Sequence, residues 1–365
     1  MKKTKNKGEW SELYALLKII DDQNLYAGDD NFKKNLDICF PVLEVFNGDD
    51  LNFIRYQLDL KNKTVNVYVN NSLDSISIPI DQFSIYSNLL LEIIKNSKGR
   101  SFEAAAIENF ISQISLSRIA SSSSNKVDIR AIVDPRDGNP IKLGFSIKSW
   151  LGSLPTLLNP SKATHFIFNI QSSNPLTKSI VDGANNIRNF HQKFLYFREH
   201  QMKLSFSHIN SQIFHDNLTL IDSQLPQILA FLVEDYYSSE KVVKVSELVS
   251  RLAKKNPLDC NNQYFYEKKI RDLLSKVALG MFPNTIWDGY NSVSGGHILV
   301  CKNGELITYL YIYFPQQFEN YLFRATKFET ASTSRYDFGR IYFDAPTKTH
   351  YIKLNLQIRF STLST

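Results

Sequence analysis

The sequence predicts an α/β (α+β) protein whose N-terminal part mixes strands and helices and whose C-terminal part is first helical and then β. Three observations carry this. Apolar and polar residues alternate, with the period of half-buried strands, over 40–80, 127–133, 141–149 and again after 296. Helical spacing of apolar residues separates these runs, at 9–21, 80–97 and 215–280. The chain is 365 residues long and 43% hydrophobic, ample for folded cores, and its length favours two domains, divided near residue 200.

Taken in order, "EWSELYALLKIID" (9–21) reads as an amphipathic helix with Trp10, Leu13, Leu16, Leu17 and Ile20 on one side. "IRYQLDLKNKTVNVYV" lies in a β-meander with an Asn-Lys turn at its middle. Two helices follow, "IDQFSIYSNLLLEIIKNS" and "SFEAAAIENFISQI", the second with Ser101 as its expected N-cap. The "SSSSN" at 121–125 reads as a loop. Strands are expected at 127–133, 141–149 and 164–170, then a helix at 177–195. "HILVCKNGELITYLYIYF" reads as a hairpin turning at Asn303-Gly304, and "YIKLNLQIRF" as one more alternating strand.

Composition narrows the function classes only a little. A net charge of +6, from 42 basic and 36 acidic residues, permits a polyanionic partner without demanding one. Cys39, Cys260 and Cys301 form no CxxC pair, and no histidines sit at zinc-ligand spacing, so packed thiols in a reducing compartment are expected. The basic start "MKKTKNKGEW" leads into no apolar stretch, and no run approaches the ~20 apolar residues of a membrane span. A soluble, cytoplasmic protein with no membrane partner is expected.

The most informative stretch is "VDIRAIV" (127–133), "DPRDGNP" (134–140) and "IKLGFSIKS" (141–149), which the pattern predicts to be an antiparallel hairpin. Closing it with Val133 against Ile141 sets Ala131 opposite Leu143, Ile129 opposite Phe145 and Val127 opposite Ile147, apolar throughout. A one-residue slip would oppose apolar to polar side chains, so the register is well determined. The other face then carries Asp128 opposite Ser146, with Lys148 on the diagonal. Directly opposed Cβ atoms lie ~5 Å apart and diagonal ones ~7–8 Å, within a lysine's reach. An acid, a hydroxyl and an ammonium group thus converge, which suits phosphate chemistry around a Mg²⁺ ion. An ordinary surface Asp–Lys pair would show the same pattern.

This arrangement resembles the PD-(D/E)xK nuclease core, with "SIK" standing where acid-x-Lys is usual. Some restriction endonucleases for CCGG-containing sites also have Ser-x-Lys and bring the second carboxylate from a helix. The wider sequence is similar to the HpaII-type restriction endonucleases in "KGEWSELYALLKII", "KVDIRAIV", "LGFSIKSWLGSLPTLLN", "LTLIDSQLP", "STSRYDFGRIY" and "KLNLQIRF", spanning residues 7 to 360. The resemblance implies a mixed sheet flanked by helices, with 1–200 as catalytic domain and 201–365 as target-recognition region. It implies a Mg²⁺-dependent type II restriction endonuclease that cuts double-stranded DNA at a short palindrome, with CCGG the expected site. A two-fold homodimer would place one active site on each strand.

By the same resemblance Asp128 is the metal ligand and Lys148 the catalytic lysine, with Ser146 between them. Because Ser146 is not acidic, a second carboxylate is needed. Glu103 and Glu108 precede the hairpin; five residues apart, they lie roughly 140° around a helix, so one at most faces the metal. Glu108 is the expected ligand, as it borders the packed face of Ile107, Phe110, Ile111 and Ile114. Glu12, in "GEWSE" with Glu9, is the second choice.

DNA contacts are expected after Lys148, where Ser149, Thr156 and Asn159 could bond phosphates. Base reading needs donors shaped for base edges. "STSRYDFG" offers Ser334 and Arg335, and "LNLQIRF" sets Asn355, Gln357 and Arg359 on one strand face. Arg335 and Arg359 are the expected guanine readers. Two rival readings stay open: a structure-specific or nonspecific repair nuclease, and a winged-helix regulator built from "KVVKVSELVSRLAKKN", "NQYFYEKKIRDLLSKVALG" and a wing at 297–314.

Overall fold

The computed structural model describes residues 4–99, 101–115, 126–135 and 138–362. The Ser-rich stretch 121–125 and positions 136–137 of the hairpin loop lie outside the described residues. The chain forms two compact units: Met1–Pro155 with Asn291–Tyr321 and Thr362–Thr365, and Thr156–Tyr290 with Leu322–Ser361.

The first unit holds a mixed sheet that, among the described residues, has nine strands. Their spatial order is Asn24–Gly28, Leu306–Leu310, Gly296–Val300, Ile141–Ser149, Ile129–Val133, Lys34–Gly48, Phe53–Asp59, Thr64–Val69 and Ser75–Pro79. The meander and the hairpin appear as the alternation predicts. Ile129 pairs with Phe145, Ala131 with Leu143 and Val133 with Ile141, the register deduced by counting. Gly296–Val300 runs parallel to Ile141–Ser149, and Leu306–Leu310 parallel to Asn24–Gly28. Both segments are buried along their whole length, as expected of parallel strands covered on both faces.

Two helices, Lys7–Asp22 and Ile80–Asn96, pack against each other. Their apolar residues share one core with the sheet, where Trp10, Leu16, Phe83 and Leu90 join Tyr56, Phe145 and Ile298. Lys7–Asp22 starts where Asn6 and Glu9 form a reciprocal capping box: the Asn6 side chain accepts from Glu9 N at 3.0 Å and Glu9 Oε2 accepts from Asn6 N at 2.8 Å. Tyr14, from the same helix, donates to Gly304 O at 2.5 Å, tying it to the Asn303-Gly304 turn.

The second unit is mainly helical between Lys178–Asn186 and Phe265–Leu279, and among the described residues it also holds a four-stranded antiparallel sheet and a three-stranded one. No helix among the described residues is long and apolar enough to cross a membrane.

Four expectations need correction. The division near residue 200 does not match the compact units. Residues 156–200 join the second unit because Thr156–Leu158 pairs with Ile358–Phe360 and His165–Ser172 with Thr349–Asn355. The hairpin after 296 belongs to the first unit's sheet and is no wing. Ser101 caps no helix: Ser101–Phe102 pairs as a short strand with Lys5–Asn6, and α-helix begins only at Glu108. The helix expected at 177–195 is two, Lys178–Asn186 and Phe190–Glu199, because Thr177 and Asn189 each cap a separate start.

Gly296 sits at φ +121°, and an added Cβ would lie 2.1 Å from Tyr309 O, inside the strand pair beside the hairpin. Gly296→Ala is expected to lower the unfolding free energy by about 2 kcal/mol or more. Urea unfolding measures this, and an unchanged midpoint would contradict the backbone placement.

Candidate active site

The hairpin's regular ladder ends at Ile129, and Asp128 stands just beyond it. Asp128 N donates to Phe145 O at 2.9 Å, which holds the residue against the second strand. Its Oδ2 accepts from Ile147 N at 2.6 Å and from Ser146 Oγ at 3.1 Å. Lys148 Nζ donates to Ser146 Oγ at 2.8 Å. The hydroxyl therefore passes a hydrogen bond from ammonium to carboxylate: Lys148 to Ser146 to Asp128. Ser146 is buried, only 2% exposed, so these bonds form in a poorly hydrated setting where they are strong.

The helix Lys7–Asp22 brings another carboxyl group close to these residues. Ser149 Oγ donates to Ser11 Oγ at 2.8 Å, docking the helix beside the end of strand Ile141–Ser149. Glu12, next to Ser11, comes within electrostatic reach of Asp128 and Lys148. Its carboxyl is pushed up to about 8, chiefly by burial and then by the Asp128 charge, against the pull of Lys148. Burial depresses Lys148, while Asp128 and Glu12 oppose that depression. Glu9 is held in the capping box instead.

Lys126 is a participant that the sequence reading missed. Burial, then repulsion from Lys148, brings it down to about 7, with Asp128 pulling the other way. Strand alternation could have found it, since Lys126 precedes Asp128 by two residues and so shares its face.

The structure brings together Asp128, Ser146, Lys148 and Glu12, and Glu108 takes part in none of the interactions that link them. Glu108 begins the helix Glu108–Gln113, and its Oε1 is buried with no hydrogen-bond partner among the described residues. It is not among the charges that act on Lys148 or Lys126. Glu108 does border a packed face, since Ile107, Phe110, Ile111 and Ile114 are buried, but with Ser101–Phe102 in a strand residues 103–108 do not form one continuous helix. Glu103 is exposed. Among the described residues no three or more His, Cys, Asp or Glu cluster as for a metal, so this site offers two carboxylates.

The expected DNA contacts fall into distinct settings. Ser149 is engaged with Ser11. In the second unit, Thr156 pairs with Arg359 across the strands, and Asn159 is exposed. Ser334 and Arg335 are exposed on the short helix Thr333–Tyr336, which Ser332 caps. The strand expected to display Asn355, Gln357 and Arg359 on one open face is interrupted. Thr349–Asn355 belongs to one sheet and Ile358–Phe360 to another. Asn355 and Gln357 are buried, and Asn355 Nδ2 donates to Ser161 O at 2.8 Å. Arg359 Nη1 lies 2.7 Å from Glu329 Oε2 in an ion pair. The alternation is present, but Asn355 and Gln357 on its polar side are buried and Arg359 is half-buried.

The chain matches the model of the HpaII restriction endonuclease family over residues 6–360. The type II restriction enzyme HpaII of Haemophilus parainfluenzae is 40% identical to it over 360 residues, covering 97% of this chain and 98% of that enzyme. No solved structure matches the chain. A match that spans the capped first helix, the hairpin and the C-terminal strands alike leaves little of the chain outside it: the chain belongs to the HpaII restriction endonuclease family.

Proposed function

We propose that this chain, a type II restriction endonuclease by its family, hydrolyses phosphodiester bonds of double-stranded DNA with Mg²⁺ at the Asp128–Ser146–Lys148 site. The observation that carries the reading is the hydrogen-bonded line from Lys148 through Ser146 to Asp128, with Glu12 beside it. A hairpin at the centre of a mixed sheet, with its acid and lysine on one face, supports a PD-(D/E)xK-like core. CCGG is the target proposed from family resemblance, and a palindromic target calls for a two-fold homodimer.

The residues fit a magnesium ion. Asp128 and Glu12 supply hard oxygen ligands, and Mg²⁺ commonly takes one or two carboxylates and keeps waters and phosphate oxygens. Glu12 makes no side-chain hydrogen bond among the described residues, and burial next to Asp128 disfavours its charge. A divalent cation between the two carboxylates would remove that penalty. Asp128 and Glu12 are thus the residues that would hold Mg²⁺, which when bound neutralises phosphate charge and makes water a better nucleophile.

The chain's own groups do the rest. Lys148 is placed by Ser146 to stabilise charge developing on the scissile phosphate. Ser146 fixes the lysine's position as an acceptor and donates its own hydroxyl proton to Asp128 Oδ2. The Ile147 N–H fixes the same oxygen from the backbone. Lys126, within electrostatic reach of Asp128 and Lys148, adds a second basic group to the site.

Asp128→Ala is expected to keep DNA binding but slow cleavage roughly a thousandfold, several kcal/mol of lost stabilisation; binding and single-turnover cleavage are measured side by side, and wild-type cleavage would end the proposal. Glu12→Gln is expected to fail similarly and Glu108→Gln to cut near the wild-type rate. The reverse outcome would return the second ligand to Glu108. Arg335→Ala should weaken specific binding by ~1–3 kcal/mol if it holds a guanine with two bonds, whereas equal loss on random DNA would mark a phosphate contact. Digestion of a sequenced plasmid with Mg²⁺ should yield discrete fragments ending at CCGG; a smear would favour a nonspecific nuclease, and intact but shifted DNA a binding protein without catalysis.

A further inference from the structure

The second unit contains a cavity of about 430 Å³ between the helices Phe190–Glu199, Leu225–Ser238 and Val245–Lys255 and the strand Met202–Ile209. That volume falls in the range of small-molecule sites, roughly 300–1,000 Å³. Phe194, Phe197 and Phe231 form its apolar walls; the Phe194 and Phe197 rings lie 5.4 Å apart with their planes at 50°.

Two adjacent carboxylates, Glu234 and Asp235, line the same cavity. Asp235 is only 8% exposed, and its Oδ1 takes Arg251 Nη2 at 3.0 Å and Lys255 Nζ at 2.6 Å. Its Oδ2 is buried with no hydrogen-bond partner among the described residues. A buried acceptor left without a donor is costly, so this oxygen calls for one. Burial and the neighbouring Asp235 push Glu234 up to about 7, against Lys255. Three exposed cations, Arg198, Lys203 and Lys255, line the same cavity, the last of them held on Asp235.

We propose that this cavity binds a nucleotide, its base against the phenylalanine rings and its phosphate on Arg198 and Lys203. The class follows from the combination. A base presents a flat apolar face and an edge of amino and imino donors, which a carboxylate accepts as it accepts cytosine N4. A simple amine would satisfy the carboxylates but has no use for the cations. A fatty anion would use the cations but offers the carboxylates nothing. The base can come from a free nucleotide or from a base turned out of a DNA duplex, and the chemistry is the same.

Calorimetric titration with cytidine and guanosine monophosphates tests the site, with cytidine and guanosine as phosphate-free controls. One monophosphate should bind with a dissociation constant below about 1 mM, and its nucleoside at least tenfold more weakly. The surface pair Arg198→Ala with Lys203→Ala should remove the advantage of the monophosphate, and the isosteric Glu234→Gln should weaken monophosphate and nucleoside alike at least fivefold. In a second arm, a duplex with 2-aminopurine in the target is mixed with protein in Ca²⁺. Brightening that the Arg198/Lys203 variant loses assigns the base to DNA, and a silent duplex beside a binding monophosphate assigns it to a free nucleotide. If neither monophosphate binds and the duplex stays silent, or if binding and brightening are untouched by both variants, the inference is overturned. Plasmid cleavage scored in parallel separates this result from failure of the hairpin site, since that site's residues are unaltered in both variants.

Discussion

The Asp128 carboxylate is the constraint on which the candidate site depends. At the point where the hairpin ladder ends, its Oδ2 takes both the Ile147 N–H and the Ser146 hydroxyl. One oxygen thus ties this face of the hairpin to the backbone, and Ser146 passes the constraint on to Lys148. An acid held in this way cannot swing away from the strand, and the lysine cannot reach past it without breaking a bond in a buried setting. Removing the carboxylate would leave a backbone donor and a hydroxyl without their acceptor, beside two partly desolvated lysines.

On the proposed reading, Ser146 takes the place that an acid would fill in the usual acid-x-Lys pattern, and Glu12 on the first helix supplies the missing carboxyl group. That helix is fixed at its start by Asn6 and Glu9 and along its length by Ser11 bonded to Ser149. Two glutamates three residues apart therefore acquire different work. Glu9 satisfies backbone donors at the helix start, while Glu12, one turn further, is turned toward Asp128 and Lys148. On the proposed reading, a cation shared by Glu12 and Asp128 would also hold the helix against the hairpin, so metal binding and packing of the first unit would favour each other.

The second unit separates arginines by what already holds them. Arg359 is matched by Glu329 inside the fold, and Asn355 is bonded to the segment that leads into the strand His165–Ser172. Arg335 stands on an exposed, capped turn, over the ring of Tyr336. An arginine whose fork is engaged internally must break that bond to read a base, so exposed Arg335 is the better placed of the two guanine readers expected from sequence.

Much of the first unit was legible in the sequence. The period of two along 127–133 and 141–149, with apolar residues that tolerate only one register, sufficed to place Asp128, Ser146 and Lys148 on one face. The meander, the first helix and the Asn303-Gly304 turn follow from equally local patterns. What local pattern could not supply was the partner of each element. Glu12 and Glu108 look alike in sequence, and only the docking of one helix on Ser149 distinguishes them. The alternation of 351–360 looked like an exposed face because periodicity reports two sides of a strand and not what covers them. The interleaved unit boundaries have the same origin: pairing between strands distant in the chain sets them, and that pairing is a property of the folded core rather than of any single stretch.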